Sequence, residues 1–383
     1  MTDQLVPSRL ASALPGWTQP AAATAEPVVG VLTGEGVGPE VLEAALAVLD
    51  AVGRRFDTSF DVRHGGEIGL DAQARHGCVL PDEVVSFCGS VFATGGAVLC
   101  GPAGGRFVYD LRARFDLFCK FTPLRPYPPL ANVGRLRAEA VRDVDIMMIR
   151  DNVGGMYFAR ETVESDAWGM ASVTSEFVYE RSHVERLVAV AVDVARSRRG
   201  RLALVVKPGG VHAVSRLWAE TFEAMTGGSG LTSAVLGVDH AVYQLISAAP
   251  DLDVLVSPNM LGDVIADCGG VLLGSRAMTY SGNFGPDRTA VYQTGHGAAY
   301  DLAGGGRANP LGQIASVAFM LRESFGMVAA AAAIDGAVEH TLAAGWRTPD
   351  IAEPGCRLVG TAEMGEQVAR AIAEQPDGAT AVA

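Results

Sequence analysis

In the stretch Asn259-Met-Leu-Gly-Asp-Val-Ile-Ala-Asp267, two carboxylates stand four residues apart inside an apolar run. At the helical period Asp263 and Asp267 share one face. Two acids on one face of a mostly apolar helix are costly unless a positive charge sits between them. A divalent cation with oxygen ligands would supply that charge. An ordinary first helical turn, where aspartate suits the helix dipole, is the plainer alternative. Lys207 is a second position of interest. It ends the apolar run 202–206, and ligands bind at strand ends of α/β sheets. A third is the segment 101–126, which concentrates Arg106, Arg112, Arg114, Lys120 and Arg125. Such a run reads either as a solvated helix face with snorkelling stems or as a basic pocket for carboxylates.

These groups need a scaffold, and the chain supplies alternating signals for one. Val28 to Leu32 reads as a buried strand. The glycine turn Thr33-Gly-Glu-Gly-Val-Gly-Pro-Glu40 follows it, then a helix with Val41, Leu42, Ala45, Leu46 and Leu49 on its apolar side. Backbone N–H groups at such a turn can approach an anion or a nucleotide. The spacing is not GxGxxG, so the usual dinucleotide fingerprint is absent. Further strands are predicted at 59–63, at 91–99 with a break at Gly95-Gly96, at 144–149 ending in Arg150, at 202–206 and at 254–257. Helices are predicted at 184–196, 211–225, 239–248, 315–325 and 328–344. Alternation of this kind points to an α/β architecture. The segment Tyr292 to Pro310 carries almost continuous loop signal, and a loop that long is usually functional.

The whole chain sets limits. Its 383 residues allow two domains or one large α/β unit. A net charge of −13 argues against general affinity for nucleic acid or an anionic membrane, so an anionic substrate needs a locally basic pocket. The six cysteines form no CxxC pair, which suggests neither a zinc site nor a disulfide framework and fits a reducing cytoplasm. No apolar run is long and clean enough to span a bilayer. Residues 1–26, rich in Ala, Pro, Ser and Thr, read as a flexible N-terminal arm.

In this order, these pieces resemble the isocitrate/isopropylmalate dehydrogenase family of metal-dependent β-decarboxylating dehydrogenases. The resemblance runs from about Val28 to about Gly326. Gly34-Glu-Gly-Val-Gly-Pro-Glu-Val41, Asn259 to Asp267, His296-Gly297, Asp301-Leu-Ala-Gly and Ala308-Asn-Pro carry it. It implies an α/β fold with an open sheet and a large discontinuous cofactor-binding domain at 27–117 and 274–383. It also implies a smaller α/β domain at 118–273 that holds metal and substrate residues and makes a homodimer with shared active sites. By the resemblance, Mg²⁺ or Mn²⁺ is held by Asp263 and Asp267 with Asp239 donated across the dimer. Lys207, also from the other subunit, and Tyr157 are the catalytic pair, while Arg112 and Arg150 bind substrate. His296, Gly297, Asp301 and Asn309 fall on the adenosine-binding loop, and an acid at Asp301 suits the free ribose of NAD. The implied reaction oxidises a malate-type alcohol, loses CO₂ and protonates the resulting enolate carbon.

Several positions depart from the family pattern. Thr122 stands where an arginine precedes proline, and Lys120 stands where Asn is usual, which could restore the charge as a point cation. Gly209, Gln293 and Glu35 replace Asn, Glu and Asp. In the segment that reads the variable substituent of the substrate, the chain has Arg106, Val108 and Tyr109. An arginine there would pair with an anionic arm. The expected substrate is therefore a 3-substituted malate with an anionic substituent, isocitrate-like or phosphonomethylmalate-like. A tartrate- or malate-type dehydrogenase and a non-catalytic ligand-binding subunit are the alternatives.

Overall fold

Val28, Val29, Val31 and Leu32 are apolar on both faces of one short run, which is the pattern of a strand covered on both sides. They form β1 (Val28–Leu32) of a ten-stranded mixed sheet in the computed structural model, which describes residues 9–17 and 26–375. The other strands of that sheet are β2 (Asp61–His64), β3 (Ala97–Cys100), β4 (Cys119–Leu124), β5 (Ile146–Asp151), β8 (Arg201–Val206), β9 (Thr232–Gly237), β10 (Val254–Ser257), β11 (Tyr280–Phe284) and β12 (Ala290–Thr294). Between β5 and β8 the chain makes a separate hairpin of β6 (Arg160–Asp166) and β7 (Gly169–Glu176). The sheet order is β2-β1-β3-β12-β11-β4-β5-β10-β8-β9. Its first four strands run parallel, as do its last four, and antiparallel pairings through β11 and β4 join the two groups.

That order decides where chemistry can sit. Because β5, β10, β8 and β9 are parallel, their C-terminal ends share one edge. Arg150 is the penultimate residue of β5, Lys207 directly follows β8, Asp239 lies just past β9, and Asn259 opens the helix Asn259–Gly269 just past β10. The strand predicted at 144–149 is displaced by two residues to Ile146–Asp151 and so includes both Arg150 and Asp151.

The predicted strand at 91–99 needs correction. Val91 belongs to the helix Asp82–Ala93, and only Ala97–Cys100 is strand. Val84, Cys88 and Val91 recur at helical spacing and are all buried, with Asp82 and Glu83 in the first turn. The flexible arm at 1–26 is also corrected where it is described. Ala11, Leu14 and Trp17 are fully buried. Trp17 donates its indole N–H to Gly285 O at 3.0 Å and meets Phe284 edge-on at 5.4 Å. Residues 1–8 and 18–25 of that arm lie outside the described residues. Among the described residues no helix is long and apolar enough to cross a membrane.

Glu323 receives this N-terminal segment. Its side chain is fully buried and accepts from Ala11 N at 2.8 Å. Burial pushes its pKa from 4.5 up to about 7, against the Ala11 N–H and the Arg322 charge. A folded pKa above the unfolded one favours the fold below pH 4.5, and that contribution is lost as pH rises toward 7. Glu323→Gln should therefore stabilise the protein at pH 8 by about 2–3 kcal/mol. The gap should close at pH 5, as checked by thermal melts at both pH values.

Candidate active site

The helix Asn259–Gly269 lies against β4 and β5 and carries both acids. Gly262 makes the close approach possible, since a Cβ there would sit 3.0 Å from the Arg150 side chain. Asp263 pairs with the Arg150 guanidinium and accepts the Tyr157 hydroxyl at 2.8 Å. Asn259 is buried and completes the arrangement. Its Oδ1 accepts from Arg150 Nε at 3.0 Å and Nη2 at 2.7 Å, and its Nδ2 donates to Gly154 O at 2.8 Å. Asn259 thus aims Arg150 and fixes the turn that carries Tyr157. Asp267, one turn on, is held by Arg276 at 2.7 Å.

Three cations face these acids from inside the protein. Arg112, Lys120 and Arg150 are 3%, 8% and 2% exposed. Lys120 and Arg150 are direct cross-strand neighbours on β4 and β5, a pairing that costs free energy between like charges. Burial, then Arg112 and Arg150, hold the Lys120 pKa well below its ordinary value. Burial, then Arg150, lower that of Arg112. Arg112 Nε and Nη1 are buried without a hydrogen-bond partner among the described residues, and so is Thr122 Oγ1, two residues along β4 from Lys120. Buried donors left unpaired are expensive, and carboxylate oxygens satisfy them well. Of the two readings of segment 101–126, the solvated helix face does not describe Arg112 and Lys120, which are buried.

The acids respond to this setting in opposite ways. Burial would raise the Asp263 pKa, but Arg150, the Tyr157 hydroxyl, Lys120 and Arg112 together bring it below the usual carboxylate range. Burial raises Asp267, and Arg276 only partly offsets it. Tyr157 is pushed up, first by burial and then by its hydrogen bond to Asp263, so it stays a protonated phenol at neutral pH.

Aromatic rings link these groups to Arg106. Tyr109 meets Tyr157 edge-on at 5.3 Å, with the Arg106 and Arg112 guanidinium carbons each 5.2 Å from its ring centre. Arg106 is exposed and donates to Tyr157 O at 3.0 Å. Farther out, Tyr179 braces the turn from below. Its hydroxyl donates to the buried Asp151 at 2.9 Å, and Asp151 also meets His183 Nε2 at 2.9 Å.

Lys207 and Asp239 pair with each other. Among the described residues no three metal-ligating side chains come together, so Asp239 does not join Asp263 and Asp267 within one chain. His296, Gly297, Asp301 and Asn309 all lie on the segment 295–310, away from regular structure. Burial lowers the His296 pKa, its Nδ1 meets Gly297 O at 2.8 Å, and its Nε2 has no partner among the described residues. Asp301 and Gly297 are exposed. The Asn309 side chain is already engaged: Oδ1 accepts from Leu311 N at 2.9 Å and Nδ2 donates to Asp350 at 3.1 Å.

The family described as isocitrate/isopropylmalate dehydrogenase matches residues 28–368. The chain belongs to that family. It is 37% identical over 361 residues to a 3-isopropylmalate dehydrogenase of Moorella thermoacetica, covering 90% of this chain and 99% of that one. A 3-isopropylmalate dehydrogenase of Pseudomonas putida is 36% identical over 357 residues, covering 89% and 98%. Among solved structures, the isocitrate dehydrogenase of Methylococcus capsulatus superposes with a TM-score of 0.79 at 27% identity, covering 91% and 100%. The protein is accordingly a decarboxylating hydroxy-acid dehydrogenase, with the open α/β fold of its family.

Asn259, Tyr179, Asp151 and Arg276 were not singled out as site residues from the sequence. Of these, Asn259 carried a signal there, as the first residue of the acid-bearing stretch.

Proposed function

We propose that this protein oxidises and decarboxylates a 3-substituted malate with an anionic arm, using NAD and Mg²⁺ or Mn²⁺. The observation that carries this is the buried set Arg112, Lys120 and Arg150, with Arg112 donors unpaired beside a single engaged carboxylate. Such a pocket is suited to the carboxylates of malate. Arg150 and Arg112 would bind them, and Lys120 would serve where Thr122 offers no charge. Arg106, exposed at the rim beside Tyr109 and Tyr157, would meet the anionic arm.

The donor set fits the cation. Asp263 and Asp267 present oxygen atoms on one helix face, and Asp239 adds a third carboxylate in a homodimer. Lys207 and Asp239, already paired, would arrive from the other subunit as a unit. Exposed apolar side chains at Tyr243, Ile246 and Val264, and at Trp168 and Met170 of the β6–β7 hairpin, support such a dimer. We read the sheet halves 27–117 with 274–383 and 118–273 as its two domains. His296, Gly297, Asp301 and the Asn309 backbone would hold NAD. The free cysteines suit the cytoplasm.

When bound, the metal supplies Lewis acidity at the substrate hydroxyl and NAD accepts the hydride. Lys207 Nζ, once released from Asp239 as the neutral amine, would take the hydroxyl proton. Tyr157 Oη, held protonated, gives a proton to the substrate carbon that CO₂ leaves. Arg150 orients the carboxylates, and Asn259 holds Arg150 in place.

Isopropylmalate as substrate is the second reading, favoured by identity with relatives of that name and by the apolar Val108 and Tyr109. Measuring kcat/KM with isopropylmalate, isocitrate and phosphonomethylmalate, with CO₂ detected beside NADH, decides between them. NADH without CO₂ would favour the tartrate- or malate-type reaction. Arg106→Leu should lower kcat/KM for the preferred anionic substrate about a hundredfold and leave isopropylmalate within a few-fold. Preference of the wild type for isopropylmalate would defeat the anionic-arm reading.

A further inference from the structure

The glycine turn after β1 holds a carboxylate that the mechanism leaves unused. Glu35 is 3% exposed and has no cationic partner in an ion pair among the described residues. Three donors converge on it: Asp71 N, Gly104 N at 2.8 Å and the Tyr300 hydroxyl at 2.6 Å. Gly69 and Gly104 leave the room, since a Cβ at Gly69 would lie 2.6 Å from Glu35 Oε2 and one at Gly104 would lie 2.5 Å from Tyr300 Oη. A second bond fastens the same two segments, from Val37 N to Ala298 O at 2.8 Å. Gly36, at φ +60°, permits that approach, for a Cβ there would strike the Ala298 carbonyl. Tyr300 directly precedes Asp301, and Gly104 lies two residues before Arg106.

We infer that Glu35 and Tyr300 form a clasp that positions the 296–309 loop for cofactor, and that Glu35 shares this clasp with the segment carrying Arg106. The inference rests on the assignment of that loop to NAD. Its physical basis is the strength of a hydrogen bond to a buried carboxylate. The Tyr300 ring is half exposed, and its hydroxyl is held by Glu35 with the Gly104 backbone beside it. Glu35 is a positioning residue here, acting on NAD through Tyr300 and on the substrate-reading segment through Gly104 N.

The test is a double-mutant cycle on the full-length chain, with the Kd for NAD measured by calorimetry. Tyr300→Phe should raise it about tenfold. Glu35→Gln should raise it at least as much. The double variant should lie within about twofold of Glu35→Gln alone, because both changes break one contact. A Tyr300→Phe Kd within twofold of wild type, or effects that multiply, overturns the clasp. A second readout needs no cofactor. Proteolytic cleavage within 297–307 should be about fivefold faster in Tyr300→Phe, and an unchanged rate overturns the clasp. If the wild type binds no NAD, the cofactor assignment fails, and the cleavage rate alone then judges the clasp.

Discussion

Asp263→Asn is expected to lower turnover with saturating Mn²⁺ by on the order of a thousandfold. The change keeps the shape and removes one charge from the residue that Arg150, Tyr157, Lys120 and Arg112 all address. Mn²⁺ binding, read by electron paramagnetic resonance, should weaken in parallel. Stability should fall as well, because Arg150 is buried and would keep only neutral acceptors. Asp263 is partly exposed, so solvent screening limits that loss to about 1–2 kcal/mol at pH 7. The sign with pH follows from the lowered carboxylate. Its contribution is present above the ordinary carboxylate pKa and is lost as pH falls through the depressed one. The wild-type and variant melting curves should therefore converge in acid. Turnover unchanged with metal would refute the assignment of Asp263 to the cation.

That experiment also probes what the sequence made visible. Asp263 and Asp267 were legible because a helix folds residues four apart onto one face, a local rule that needs no tertiary knowledge. The strand ends at Arg150 and Lys207 were legible for a similar reason, since each closes a short apolar run. Asn259's task was not legible. Its bonds to Arg150 span 109 positions, and no spacing rule connects them. The same holds for Glu35, whose partner Tyr300 is 265 positions away. Residues 91–96 were misread as strand because Val91 and Thr94 satisfy a strand pattern locally, while burial of Val84, Cys88 and Val91 on one face continues the helix to Ala93. The hairpin of β6 and β7 left no inward-facing pattern to find, since all of its residues are exposed. Trp17 was hidden in a stretch rich in small and polar residues whose composition suggested no docking at all.

Arg112→Met should separate binding from stability. In the protein without substrate, Arg112 is a buried cation with Nε and Nη1 unpaired, near Arg150 and Lys120. Removing it relieves like-charge repulsion and an unsatisfied donor pair, and methionine can still pack against the Tyr109 ring. The variant should melt about 1–3 °C above the wild type. With substrate the balance should reverse, because on the proposed reading the same two donors meet a carboxylate. The value of kcat/KM should fall about a hundred- to a thousandfold, chiefly through KM. Malonate, a simple dicarboxylate, should raise the melting temperature of the wild type more than that of the variant. A lower melting temperature together with nearly normal KM would mean that Arg112 holds the fold rather than the substrate. Higher stability together with lost binding would identify the cation cluster as strain kept for recognition, which is the pattern expected where an anion completes the site.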